Sequence, residues 1–435
     1  VNLFERTLQF TGFPIAKAKQ RLLEIQAISE KDYRTYIQDL QEKIVAYHWR
    51  ENAYYQKIYG NKRIASWEEV PVLQKSDLQR PLAERLSHGF SKKNAYINKT
   101  SGSSGHPFVF AKDNFCHALS WAEFIDRYQW YGIDLNRSMQ ARFYGIPLEG
   151  WGYHKERLKD RLSSRYRFPI FDLSEAKMEH FLSIFRKKKF DYINGYTSSI
   201  VLFGKFLKDR EICLRDICPT LRLCIVTSEM LFEEDKELLE MALGVPVVNE
   251  YGASELGLIA FTDPAGSFVV NSEALYVEIL DDENRPVPHG ETGRIVITSL
   301  YNRAHPMIRY DIGDSGSLSI NSTKKRPVLN SLVGRTNDIA ELPNGKKVPG
   351  LTFYYVTKSV IEDDGNVKEF VVEQHSTRNF KILYTATQAL KPTQIAKVEE
   401  ALSRYVGADL ELDFSHCKVL KRSASGKLKQ FVSKL

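Results

Sequence analysis

Residues 221–255 read LRLCIVTSEMLFEEDKELLEMALGVPVVNEYGASE. Leu221–Val226 is a short apolar run, Glu233–Ala242 is helical in pattern, and Val245–Val248 is β-branched. Strand, helix and strand in that order make one unit of a parallel α/β sheet. Ligands of such sheets collect beyond the carboxyl ends of the strands. Two polar segments stand at those ends: Thr227-Ser228-Glu229 and Asn249-Glu250-Tyr251, the latter running on into Gly252-Ala253-Ser254-Glu255.

The pattern extends upstream. Phe190–Asn194 is extended, Ser199–Lys208 is helical, and Met178–Lys188 is a helix with Met178, Phe181, Leu182 and Phe185 on one side. Earlier still, Phe115, Ala118, Leu119, Ala122 and Ile125 mark a helical face. Tyr36–Ile58 reads as a further helix with Ile37, Leu40, Ile44, Tyr47 and Tyr54 near one side. Downstream, Leu275–Leu280 and Gly293–Thr298 flank a turn at Asp281-Asp282-Glu283-Asn284, so antiparallel sheet or part of a barrel is expected there. The last hundred residues repeat neither pattern. A helix near Leu351–Ile361, strands Val367–Gln374 and Phe380–Thr385, a helix Pro392–Val406 and a strand Leu410–Phe414 predict a smaller α+β domain closed by a polar tail. The expected class is α/β. Residues 1–334 would form a large domain of parallel sheets plus a small antiparallel or barrel subdomain, and 335–435 a smaller, mobile domain.

A chain of 435 residues exceeds what one core usually serves, in keeping with two domains. Its charge of +7 is modest. The basic clusters Arg186-Lys187-Lys188-Lys189 and Lys324-Lys325-Arg326 lack interleaved aromatics, so no nucleic-acid platform is expected. No apolar run is long enough to span a bilayer, and no secretory leader is visible; a cytoplasmic location is expected. The five cysteines and ten histidines show no zinc spacing and read as free thiols and scattered imidazoles, with no structural metal.

Ahead of the α/β units lies Asn98-Lys99-Thr100-Ser101-Gly102-Ser103-Ser104-Gly105-His106-Pro107. Its run of small hydroxyl and glycine residues leaves backbone N–H groups bare, as an oligophosphate cradle requires. It is not a Walker loop, since no Gly-Lys-Ser/Thr follows. Further polar motifs come in order after it: Arg309-Tyr310-Asp311-Ile312-Gly313-Asp314, Gly334-Arg335-Thr336-Asn337-Asp338 and Ser423-Ala424-Ser425-Gly426-Lys427.

This ordered set, with Gly195-Tyr196-Thr197-Ser198-Ser199, resembles the adenylate-forming superfamily of acyl-CoA synthetases, peptide adenylation domains and luciferases. It is most similar to the branch of phenylacetate–CoA ligases and CapK-like capsular-polysaccharide proteins. The resemblance runs from about residue 98 to 429. It implies that ATP binds at Thr100, Ser101, Gly102, Ser103, Ser104 and Gly105, at Ser228 and Glu229, and at Tyr251, Gly252, Ala253 and Ser254. Tyr251 would stack on adenine, Asp314 would accept both ribose hydroxyls, and Arg335 would support ribose or phosphate. Glu255 would bind Mg, and Lys427 would meet the reacting carboxylate and phosphate oxygens. Asn337 and Asp338 would form the hinge. Relatives commonly carry a lysine in or just after the phosphate loop, where this chain has His106 and Phe108.

The implied activity is activation of a small carboxylic acid by ATP and Mg, giving acyl-AMP and pyrophosphate, followed by transfer to an acceptor. Coenzyme A is the default acceptor. An amine, such as an amino sugar in surface-polysaccharide synthesis, is the variant. A protein thiol at Cys417 and a nucleotide-binding scaffold without catalysis are further alternatives. A homodimer accords with related ligases. Phe143, Tyr144, Tyr196 and Tyr251 are candidates to line an aromatic-compatible acid pocket.

Overall fold

The computed structural model describes residues 3–60, 66–100, 109–144, 160, 163–170, 175–229, 231, 233–334, 339–361, 367–386, 388–406, 409–418, 420 and 431–435. A hairpin opens the sheet structure, with β1 (Ala95–Lys99) paired to β2 (Val109–Asp113). There follow β3 (Gln140–Phe143), β4 (Arg165–Phe168), β5 (Tyr192–Tyr196), β6 (Leu223–Thr227) and β7 (Val247–Ala253). Next come β8 (Gly257–Thr262), β9 (Phe268–Val270), β10 (Leu275–Leu280), β11 (Gly293–Ser299), β12 (Tyr310–Leu318) and β13 (Val328–Gly334). Except for the hairpin, all of these join one eleven-stranded sheet in the order β10-β11-β12-β13-β9-β8-β7-β6-β5-β3-β4.

The sheet has two arms that share β7. On one side β4, β3, β5, β6 and β7 run parallel. On the other, every pairing from β7–β8 to β10–β11 is antiparallel. The antiparallel strands are therefore continuous with the parallel ones. That arm is also strongly curled. β7 and β12 lie four strand steps apart, about 19 Å on a flat sheet, yet side chains from the two strands touch. Register shifts within β7–β8, β11–β12 and β12–β13 supply the bending.

One face of the parallel arm carries Ala141, Phe143, Phe168, Ile193, Cys224 and Val226, packed under the helices Glu175–Lys187, Thr197–Lys208 and Glu233–Leu243. Phe143 is fully buried in this core, and its ring stacks on Phe168 at 4.9 Å. It therefore does not line an acid pocket: strand alternation turns Phe143 away from the face that carries Tyr144. The opposite face takes the helix Asn114–Gln129, which Asp113 caps by accepting from the Phe115 and Cys116 amides.

Two sequence expectations shift in detail. The stretch 36–58 is two helices, Glu30–Glu51 and Ala53–Tyr59, because the Asn52 side chain caps the second by accepting from Tyr55 N at 2.8 Å. The buried stripe of the first includes Gln41 and His48, while Tyr47 and Tyr54 are only partly covered. The chain's last residues are not all polar tail. After β14 (Ile339–Glu341) and β15 (Lys347–Pro349) come the helix Gly350–Ile361, β16 (Val367–Gln374), β17 (Asn379–Ala386), the helix Pro392–Val406 and β18 (Glu411–His416). β19 (Phe431–Ser433) then pairs parallel with β16, in a four-stranded sheet ordered β18-β17-β16-β19. Phe353, Phe370, Phe380, Val398, Leu402 and Phe431 form a separate core beneath it. The expected junction at 335–338 lies outside the described residues. Among the described residues no helix is long and apolar enough to cross a membrane.

Candidate active site

The parallel strands deliver Thr227 and Glu250 side by side at their carboxyl ends. Thr227 Oγ1 donates to the Glu250 carbonyl at 3.0 Å. Directly beyond, Ser228 takes a left-handed φ of 70°, which turns the chain sharply out of the sheet. Thr197 Oγ1 holds the next residue through the Glu229 carbonyl at 3.2 Å. Burial pushes the Tyr144 phenol above its ordinary range, and the nearby, exposed Ser228 side chain works against that shift.

Sequence reading ends the following strand at Val248, but β7 continues to Ala253, so Tyr251, Gly252 and Ala253 are strand residues. Ser254 and Glu255 then occupy the tight turn into β8. The half-buried Tyr251 hydroxyl donates to Asp314 Oδ2 at 2.7 Å. Two residues far apart in the chain, both expected to bind the nucleoside, thus meet across the curl.

The six residues 309–314 divide their tasks. Arg309, buried and at a positive φ of 44°, pairs with Glu278 (Nη2 to Oε1 3.1 Å, Nε to Oε2 3.2 Å) and donates to the Val70 carbonyl at 2.8 Å. Asp311 accepts from Arg294 Nη1 at 2.6 Å and from the Gly313 amide at 2.9 Å. These two residues anchor the strand. Tyr310 instead donates its hydroxyl to Glu255 Oε1 at 3.2 Å, and Asp314 meets Tyr251. Gly313, at φ 85°, makes the left-handed step that places Asp314.

Glu255 is 6% exposed and has a cationic neighbour that the sequence did not single out. Lys112, on β2 just after the phosphate-loop segment, is 3% exposed and lies within electrostatic reach of Cys116, Glu255 and Glu123. Burial pushes its ammonium below the ordinary lysine range, against the pull of those groups. The signal was present as a lone lysine in the apolar run Phe108-Val109-Phe110-Ala111-Lys112. The register of the hairpin, Lys99 opposite Val109, brings both ends of the loop to this place.

Thr100 is the last described residue before that loop. Ser101, Gly102, Ser103, Ser104 and Gly105 lie outside the described residues, as do Arg335, Asn337, Asp338 and Lys427. The C-terminal unit still approaches the site. Burial, followed by the charges of Glu229 and Asp235, pushes the Tyr405 phenol well above its ordinary range. Among the described residues no cluster of three or more His, Cys, Asp or Glu could hold a metal.

No protein-family model matches the chain. Protein CapK of Staphylococcus aureus is 22% identical over 84% of this chain and 79% of its own length. A phenylacetate-coenzyme A ligase of Pseudomonas putida is 23% identical over 64% of each chain. Among solved structures, 2-hydroxyisobutyryl-CoA ligase in its postadenylation state superposes with a TM-score of 0.58 at 16% identity, covering 93% of this chain and 90% of that one. Shared fold and relatives together define an adenylate-forming ligase. Within that superfamily the chain is similar to the branch of phenylacetate–CoA ligases and CapK.

Proposed function

We propose that this protein joins a carboxylic acid to the thiol of coenzyme A at the expense of ATP, through an acyl-AMP intermediate. The observation that carries the reading is the contact of Tyr251 with Asp314, with Glu255 in the adjoining turn. The Tyr251 ring supplies a flat face for adenine. Its hydroxyl fixes one oxygen of Asp314, which orients the carboxylate to accept from vicinal ribose hydroxyls. Backbone amides of the loop 100–107 would hold the phosphates. Lys427 would neutralise the charge that grows as an acid oxygen attacks the α-phosphorus and pyrophosphate leaves.

The donor set suits Mg. Glu255 offers a hard oxygen steadied by Tyr310, and Mg requires few protein carboxylates when phosphates complete its shell. Held by Glu255, such an ion would supply positive charge against the phosphates. For the second half-reaction, the smaller unit would turn about Asn337–Asp338, withdraw Lys427 and admit the thiol. Coenzyme A is favoured because the sequence relatives include phenylacetate-coenzyme A ligases of Pseudomonas putida and Thermus thermophilus. All five cysteines are free thiols, which supports a reducing, cytoplasmic setting. A homodimer is part of the same proposal and is read by light scattering.

The test is a screen of carboxylic acids for pyrophosphate release, with and without coenzyme A. At least one acid should give AMP and pyrophosphate in both conditions and acyl-CoA only with the thiol. Release that ignores every acid would contradict the proposal.

A further inference from the structure

A lysine is almost never fully buried unless a charge answers it. Lys112 lies on β2, opposite Tyr96 in the hairpin, and is 3% exposed. Strand alternation puts it on the same face as Phe110, which shares a core with Leu256 and Ile259. Its side chain reaches the turn between β7 and β8. A Cβ on Gly257, two residues after Glu255, would stand 3.5 Å from Lys112 Nζ and 3.1 Å from Ser120 Oγ. The ammonium thus ends against the first residue of β8, at the base of the turn that carries Glu255.

The helix Asn114–Gln129 supplies the other groups that feel this charge: Cys116, His117 and Glu123. Burial pushes the Cys116 thiol up to about 12 and the His117 imidazole down to about 3, so both are neutral near pH 7. Burial, and then the charge of Glu273, hold Glu123 well above the ordinary carboxyl range, against the pull of Arg127 and Lys112. Glu255 comes from a different element, and Tyr310 steadies one of its oxygens at 3.2 Å. Among the described residues, Glu255 is therefore the carboxylate of the site that answers Lys112.

A cation already beside a carboxylate makes the local potential more positive, so a second cation arriving at the same carboxylate gains less. We propose that Lys112 is a positioning residue of the adenylation centre: its ammonium shares Glu255 with Mg and sets how strongly nucleotide binding depends on the metal. Without Mg, the ammonium holds the carboxylate in its turn. With Mg, the two cations divide its charge. The inference rests on the ligase reading, with Glu255 as the Mg ligand, and adds a second, built-in cation to that centre.

Isothermal titration with ATP, in the absence of any acid, tests it. Dissociation constants in EDTA and in saturating Mg give a ratio that measures what the metal contributes. Lys112→Met should enlarge that ratio about fivefold or more, the lower end of a coupling between two charged sites. In a Glu255→Gln background the ratio should be small, and Lys112→Met should leave it unmoved. An unchanged ratio in Lys112→Met, an equal enlargement with and without Glu255, or a wild type whose ATP affinity ignores Mg would overturn the inference while leaving the ligase. Thermal midpoints serve if Lys112→Met folds poorly. Adding Glu255→Gln should then restore much of the loss, because it removes the carboxylate left unanswered. A double variant no more stable than the single one would contradict the pairing. A wild type that binds no ATP in either condition would bring down the ligase reading and the inference with it.

Discussion

At Tyr251 the ring and the hydroxyl have separate tasks. The hydroxyl is spent on Asp314, 2.7 Å away, so a base would be met by the ring and not by the hydroxyl. Tyr251→Ala removes both, and base stacking alone is worth about 1–3 kcal/mol. The KM for ATP in pyrophosphate exchange should therefore rise about tenfold to a hundredfold; an unchanged ATP dependence would remove Tyr251 from the adenine site. Tyr251, Asp314 and Glu255 were legible in the sequence because each belongs to a short motif whose spacing survives divergence. Lys112 left only a faint signal, a lone charge in an apolar run, because it sits inside a strand whose burial is decided by partners far along the chain.

Strands and helices were legible where apolar spacing is local. β10, β16 and the helix Pro392–Val406 stand where periodicity puts them. β19 was missed, since a three-residue strand is recognised only by its pairing with β16, some sixty residues earlier. Close approach of strands gives a sharper test. Gly195 on β5 faces Phe143 on β3, and a Cβ there would lie 2.5 Å from the Phe143 carbonyl oxygen. Gly195→Ala should cost about 1–3 kcal/mol and lower the thermal midpoint; an unaltered midpoint would contradict this packing. The helix Glu30–Glu51 carries a second. His48 is fully buried, its Nε2 2.8 Å from the Asn302 carbonyl and its Nδ1 3.1 Å from Ser87 Oγ. Burial pushes it down to about 4. The unfolded chain protonates near the ordinary value of about 6.5 and so binds more protons between the two values. Stability is thus full above that upper value and falls as pH drops toward 4. The thermal midpoint should decline over this window in the wild type and less steeply in His48→Gln. Equal slopes would show that His48 is not the titrating group.

Across the whole molecule, the curl of one sheet brings β12 to β7, and a separate C-terminal core stands behind Tyr405, near Glu229. Division of labour between these parts makes a prediction for Lys427. Lys427→Ala should slow adenylation by orders of magnitude and spare acyl transfer from preformed acyl-AMP. Equal loss of both half-reactions would assign the tail another role. The central claim concerns Tyr251, Asp314 and Glu255 as one adenylation centre. Its most direct test is acid-dependent exchange of labelled pyrophosphate into ATP by the wild type and by Glu255→Gln at fixed Mg. The wild type should exchange only when a cognate acid is present, and Glu255→Gln should fall at least about a hundredfold, consistent with loss of a transition-state charge contact. Exchange that persists at the wild-type rate in Glu255→Gln would contradict the account.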